Sequence, residues 1–258
     1  MTARVFAEGS AMRIKFRCLP GYRGHVPEPR RASEALPDWV RKMPAAATSP
    51  TRGGIDVPTV KRCPPFLDAV REGIVFPLVT DLHVRGGEIS WDWDLPEVEG
   101  RLTIESPIGV HAPEQLTGAP FRVDREQFAI KFSNFWAIEA PAGVSLLFSH
   151  PFNREDLPFR TLTGLVDVDA FTRGFVNFPA LWVDPGFEGT LPKGTPVAQA
   201  VPIRREALEL EFDVGEFDEA GFAEQRAFQT ALSEDPSVYR KAYRQKRDGR
   251  GRDEASDL

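Results

Sequence analysis

The sequence predicts a mainly β protein, a β-clip-like or jelly-roll-like barrel with short N-terminal helices and a C-terminal helical arm. Three observations predict it. The 258 residues include 23 Pro, 21 Gly and 19 Phe, which favours short strands joined by many turns over long helices. Period-two alternation is explicit in EISWDWDL, where Ile89, Trp91, Trp93 and Leu95 alternate with Ser90, Asp92 and Asp94. Between these, the middle of the chain is a series of short apolar runs punctuated by turn residues.

The elements follow in order. Residues 1 to 11 read as a loose leader, and MRIKFRCL (12–19) as a first strand. GYRGHVPEPRRA reads as a surface loop. In LPDWVRKM, Leu36, Trp39, Val40 and Met43 fall at i, i+3, i+4 and i+7, with Pro37 suited to a first helical turn. PAAATSPTRGG is small and polar, and reads as a mobile loop. A second short helix starts near Pro64 and stops at Gly73. IVFPLVTDLHV, the Gly86-Gly87 turn and EISWDWDL form a predicted hairpin. IGVHAPEQL reads as a loop or edge segment, and REQFAIKFSNFWAIEA as one long strand. VSLLFSH, TLTGLVDVDAF, GFVNFPALWV and TPVAQAVPIRRE supply further strands. FDEAGFAEQRAFQTALSED is helical, and the chain ends in a basic helix and polar tail, with seven basic groups in 240 to 252. The expected domains are an N-terminal strand and helical cover (1–70), a β-rich core (71–212), and the C-terminal arm and tail (213–258).

Hydrophobic content of 41%, charged content of 27% and a net charge of −6 describe a soluble globular chain and make nucleic acid an unlikely partner. Cys18 and Cys63 are the only cysteines, so no disulfide framework is implied. Cys63, at a predicted helix start, has no histidine near it in sequence to make it a nucleophile. The opening residues lack a signal-peptide apolar core, and no apolar run reaches the length of a bilayer span. A cytoplasmic setting with no membrane partner is expected. Nothing names a cofactor.

Two segments carry a resemblance. GLVDVDAFTRG (164–174) and KGTPVAQAV (193–201) resemble the later motifs of the trimeric dUTPase and dCTP deaminase superfamily, over about residues 140–203. The resemblance implies a β-clip fold and a homo-oligomer. It also implies Asp167 activating water and Phe171 stacking on a base. The superfamily's early Gly-Tyr-Asp strand and its phosphate-cradling Arg-Ser-Ser segment have no counterpart, so the resemblance reaches the fold rather than pyrophosphate hydrolysis. More loosely, LPDWVRKMP, KRCPPF, SWDWDLP, SHPFNREDLPF and GTPVAQAVPIRRE together resemble a family of phage and bacterial proteins that carries no activity across.

The candidate site lies in residues 150–173. Asp167 and Asp169 fall on one strand face with Leu165 and Phe171. Mutual repulsion would raise one carboxyl toward the range of a general base, whereas a half-exposed strand end with turn-forming aspartates needs no chemistry. Asn153, Arg154 and Arg160 read as an anion cradle or as ordinary loop salt bridges. Phe171, Arg173 and Gln199 complete the ligand-binding set. The expectation is a small polar or anionic, nucleotide-like ligand in a groove there. Two alternatives stand beside it. One is a metal-dependent, cupin-like oxygenase with His111 or His150 as ligands, although no HxH or HxD spacing supports it. The other is a structural or assembly protein whose aromatic faces, including Trp91 and Trp93, build an interface.

Overall fold

The computed structural model describes residues 11–93, 95–98, 106–121, 129–235 and 237–244. The leader, Asp94, the start of the long strand predicted around 125–128 and the polar tail lie outside the described residues. Strands β1 (Lys15–Arg17) and β2 (Arg30–Arg31) come first, then helix α1 (Asp38–Lys42), strands β3 (Ala46–Ser49) and β4 (Ile55–Pro58), and helix α2 (Pro64–Arg71). Next come β5 (Ile74–Pro77), β6 (Leu82–Arg85), β7 (Glu88–Ser90), β8 (Ile108–His111), β9 (Ala129–Phe132), β10 (Ala137–Glu139) and β11 (Val144–Ser149). β12 (Phe159–Thr161), β13 (Gly164–Val166), β14 (Phe178–Trp182), β15 (Gly189–Leu191) and β16 (Pro196–Arg204) follow, and the last α-helix is α3 (Glu219–Glu234).

The mainly β class is what the sequence predicts. The barrel is not: among the described residues the strands form separate antiparallel sheets, and none closes on itself. The largest sheet has the order β13-β11-β16-β5-β2, and a second has the order β12-β14-β9-β8. Their apolar faces share one core. Phe76 of β5 and Phe148 of β11 meet Phe178 of β14 at ring-centroid distances of 5.1 and 5.5 Å. Strand alternation explains the arrangement. Val144, Leu146 and Phe148 of β11 point into the core, and Ser145, Leu147 and Ser149 point to the other face. The third sheet, β15-β6-β7, contains a hairpin over Gly86-Gly87 that is shorter than the predicted one: β7 stops at Ser90, and Ile74–Pro77 pairs in the five-stranded sheet as β5.

By contacts the chain divides into two compact units. One runs to Arg41 and resumes from Asp68 to Glu209; the other joins Lys42–Leu67 to the residues from Leu210 on. The first holds the sheets just described and β1 paired with β10. In it, Gly73 follows α2 at φ 78°, and a Cβ there would overlap the carbonyl oxygen of Ala200, so only glycine lets this end of α2 lie against β16. In the second unit, β3 and β4 form a hairpin where the sequence suggests a mobile loop; Thr48 donates to Asp56 across it at 2.8 Å. Asp218 caps α3, accepting from the Gly221 amide at 2.8 Å.

Two other readings are corrected. The predicted long strand over 125–140 breaks at residues 133–136, where the Asn134 side chain takes the Trp136 amide and donates to its carbonyl. These local bonds replace ladder bonds, and β9 and β10 belong to different sheets. TLTGLVDVDAF likewise splits between β12 and β13, and β13 stops at Val166. Among the described residues no helix is long and apolar enough to cross a membrane.

Candidate functional site

The turn after β13 is pinned by one residue. Val168 is fully buried in the main core, so the aspartates on either side of it are turned outward. The Asp167 carbonyl accepts from the amides of Ala170 and Phe171 at 3.0 and 2.9 Å, which closes the turn. The two carboxylates then have different fates. Asp169 receives a guanidinium fork from Arg205, at 2.8 Å to Oδ1 and 2.6 Å to Oδ2, and its Oδ2 also accepts from the Gly143 amide at 2.8 Å. Its side chain is 12% exposed. The Arg205 hydrogen bonds outweigh burial, and with the Gly143 amide they hold its carboxyl down at about 2.

Asp167 belongs to the same network but faces water. Ser145 Oγ donates to its Oδ1 at 2.6 Å, Arg205 stands 3.4 Å from that oxygen, and the side chain is 60% exposed. The sequence expectation was mutual repulsion between the two carboxylates. Arg205 lies against both instead, and it holds the Asp169 carboxyl down rather than up. Arg205, Ser145 and Gly143 escaped the sequence reading. The available signals were the Arg pair ending TPVAQAVPIRRE and the serine at a polar position of VSLLFSH.

Phe171 follows in the turn, 49% exposed. Its ring covers Gly174, where a Cβ would overlap it. Arg173 is exposed beside it.

The 150–161 loop is a closed system. His150 accepts from the Thr161 amide through Nδ1 (3.3 Å) and donates from Nε2 to the Arg154 carbonyl (2.9 Å), which fixes the neutral tautomer with the proton on Nε2. Burial pushes its pKa below the ordinary histidine value. Asn153 makes the turn at φ 59°. Arg154 grips Asp156 with two bonds, at 2.8 and 3.0 Å. Burial works against the Asp156 carboxylate, but Arg154 outweighs it and the pKa is lowered. Arg160 reaches Glu155 at 2.9 Å. Gln199 is buried on β16: its amide nitrogen donates to the carbonyls of Ala69 and Glu72, and its oxygen accepts from the Phe152 amide. It caps the C-terminal end of α2 and anchors the loop.

His111 is on β8, at the edge of its sheet. Its Nδ1 lies 3.1 Å from the Gln115 oxygen, and its Nε2 is buried without a hydrogen-bond partner among the described residues. Among those residues no group of three His, Cys, Asp or Glu side chains is arranged to hold a metal ion, so the metal alternative finds no ligand set there.

No family model matches the chain, and no curated protein does. Among solved structures, a variant dUTPase from phage phi11 of S. aureus is similar at 13% identity, over 44% of this chain and 98% of that one, with a TM-score of 0.24. It is a weak and partial resemblance.

Proposed function

We propose that the chain binds a small polar or anionic, nucleotide-like ligand at the exposed side of the 150–173 segment. In this reading Asp167 is the polar contact, Phe171 the flat apolar one and Arg173 the cation. The observation that carries it is the division between the aspartates. Asp169 is consumed by Arg205 and Gly143, whereas Asp167 is oriented by Ser145 and Arg205 and still open to solvent. A carboxylate held in place from behind is organised to accept an N–H or a water proton from in front. Arg154 and Arg160 are engaged by carboxylates of their own loop, so Arg173 supplies the charge. The nucleotide-like class is supported by the resemblance of GLVDVDAFTRG and KGTPVAQAV to the dUTPase and dCTP deaminase motifs. If turnover follows binding, Asp167 is the proton acceptor.

The test is calorimetric titration of the full chain with dUTP, dCTP and inorganic pyrophosphate. Binding of a nucleotide is expected, weakened about tenfold or more by Asp167→Asn and by Arg173→Ala, with melting temperatures unchanged. No heat from any of the three probes, or binding indifferent to both substitutions, overturns the reading.

A further inference from the structure

His150 closes its loop with both ring nitrogens. It follows directly on β11, a strand of the five-stranded sheet. Its Nδ1 accepts from the Thr161 amide of β12, the terminal strand of the second sheet. Its Nε2 donates to the Arg154 carbonyl within the loop. The ring stands edge-on to Phe159, a core residue, at a centroid distance of 5.7 Å. Thr161 has a further tie to the five-stranded sheet: its Oγ1 donates to the Val197 carbonyl of β16. That bond contains no group that titrates. The bond to His150 requires a neutral ring, because an acceptor nitrogen that gains a proton becomes a donor.

Protonation would set two N–H groups against each other, 3.3 Å apart, in a part-buried place. The surroundings do not favour an imidazolium there. Burial opposes it most, and Arg160 and Arg154 add to that; the Arg154 carbonyl and Glu155 favour it, and the balance lowers the pKa. The remaining charge of the loop, Asp156, is held by Arg154. We propose that His150 is a proton-operated latch: neutral, it holds the 150–161 loop against the edge of β12; protonated, it lets go of the Thr161 amide and the loop opens between Phe152, which Gln199 still anchors, and Arg160. Because the folded pKa is lowered, the tie is complete above the ordinary histidine value, about 6.5, and is lost as pH falls through the folded one.

The latch does not depend on the ligand reading. Its test is amide hydrogen exchange of the full chain at about pH 7 and about pH 5, read by NMR at Thr161 and corrected for the intrinsic rate. Thr161 protection is expected to fall about tenfold between the two, the scale of one linked proton, while amides within β11 and β16 keep theirs. His150→Gln keeps an oxygen to accept and an amide nitrogen to donate but does not titrate, so the pH dependence is expected to vanish. Equal protection of wild-type Thr161 at both pH values overturns the proposal. So does a fall shared by β11 and β16, which is global opening, or a pH dependence that survives His150→Gln. A folded variant with Thr161 unprotected at both values supports the latch, since the tie and its pH dependence have gone with the ring. Should the variant not fold, the wild type carries the same test: a Thr161 amide shift that follows the His150 ring resonances with one midpoint supports the proposal, and separate midpoints overturn it.

Discussion

The loop of residues 150–161 and the turn of 164–174 contain the same kinds of groups, and the structure uses them in opposite ways. In the loop the charged partners are near neighbours: Arg154 with Asp156, Arg160 with Glu155, and His150 with the Arg154 carbonyl. In the turn the partners come from far along the chain: Gly143 and Ser145 on one side and Arg205 on the other. Local pairs close the loop upon itself and leave its arginines little to offer a ligand. The distant partners report an assembled sheet. They consume Asp169 and leave Asp167 exposed. Chemical richness in a sequence is therefore a poor guide to a site until the partners are counted.

The largest expected effect strikes the anchor of the loop. Gln199→Leu keeps the volume and removes three part-buried hydrogen bonds, those to the carbonyls of Ala69 and Glu72 and that from the Phe152 amide; the Ala69 carbonyl keeps the Glu72 amide. At about 1–3 kcal/mol for a polar group that loses its partner, a loss of about 3 kcal/mol is expected, read by denaturant unfolding. A change below about 1 kcal/mol would mean that water or a shifted backbone replaces the amide. The next effect strikes the turn. Asp169→Asn breaks the Arg205 fork and is expected to cost about 2 kcal/mol at neutral pH. Because its folded pKa is lowered to about 2, the stabilisation it confers is complete above the unfolded carboxylate value and is lost as pH falls through the folded one. The window is about pH 4 to 2. Unfolding curves across it should be steeper in pH for the wild type than for Asp169→Asn; equal slopes would show that Asp169 is not the group responsible.

The fold class was legible because alternation and turn residues are local properties. The hairpin at Gly86-Gly87, the helices near Trp39 and Pro64, and the strand of KGTPVAQAV needed no knowledge of the rest of the chain. Sheet membership was not legible. β12 and β13 are two residues apart and belong to different sheets, and nothing local distinguishes them. The break at residues 133–136 was hidden because Asn134 reads as a polar position of a strand until its side chain is seen bonding the Trp136 backbone. The turn at 164–174 was visible as a motif. Arg205 was not, since its relation to Asp169 exists only once β11, β13 and β16 are paired. Gln199 shows the converse: an isolated polar residue in an apolar strand looks like a ligand contact, and the fold uses it for its own backbone.

The smallest expected effect separates the two arginines of the loop. Arg160 and Glu155 are 58% and 76% exposed at the side chain and share one hydrogen bond, so water replaces the partner readily. Arg160→Ala should change stability by no more than about 0.5 kcal/mol. Arg154 is only 13% exposed and forks onto Asp156, which also takes a hydrogen bond from the Trp39 side chain. Arg154→Ala should cost about 1–2 kcal/mol, because it leaves a partly buried carboxylate short of a partner. Thermal unfolding of the two variants checks the order. The same pair sharpens the functional comparison: if the arginines of this loop are structural and Arg173 carries the ligand's charge, Arg160→Ala leaves nucleotide binding as it was. A marked loss of binding in that variant would move the cation site from the turn back to the loop.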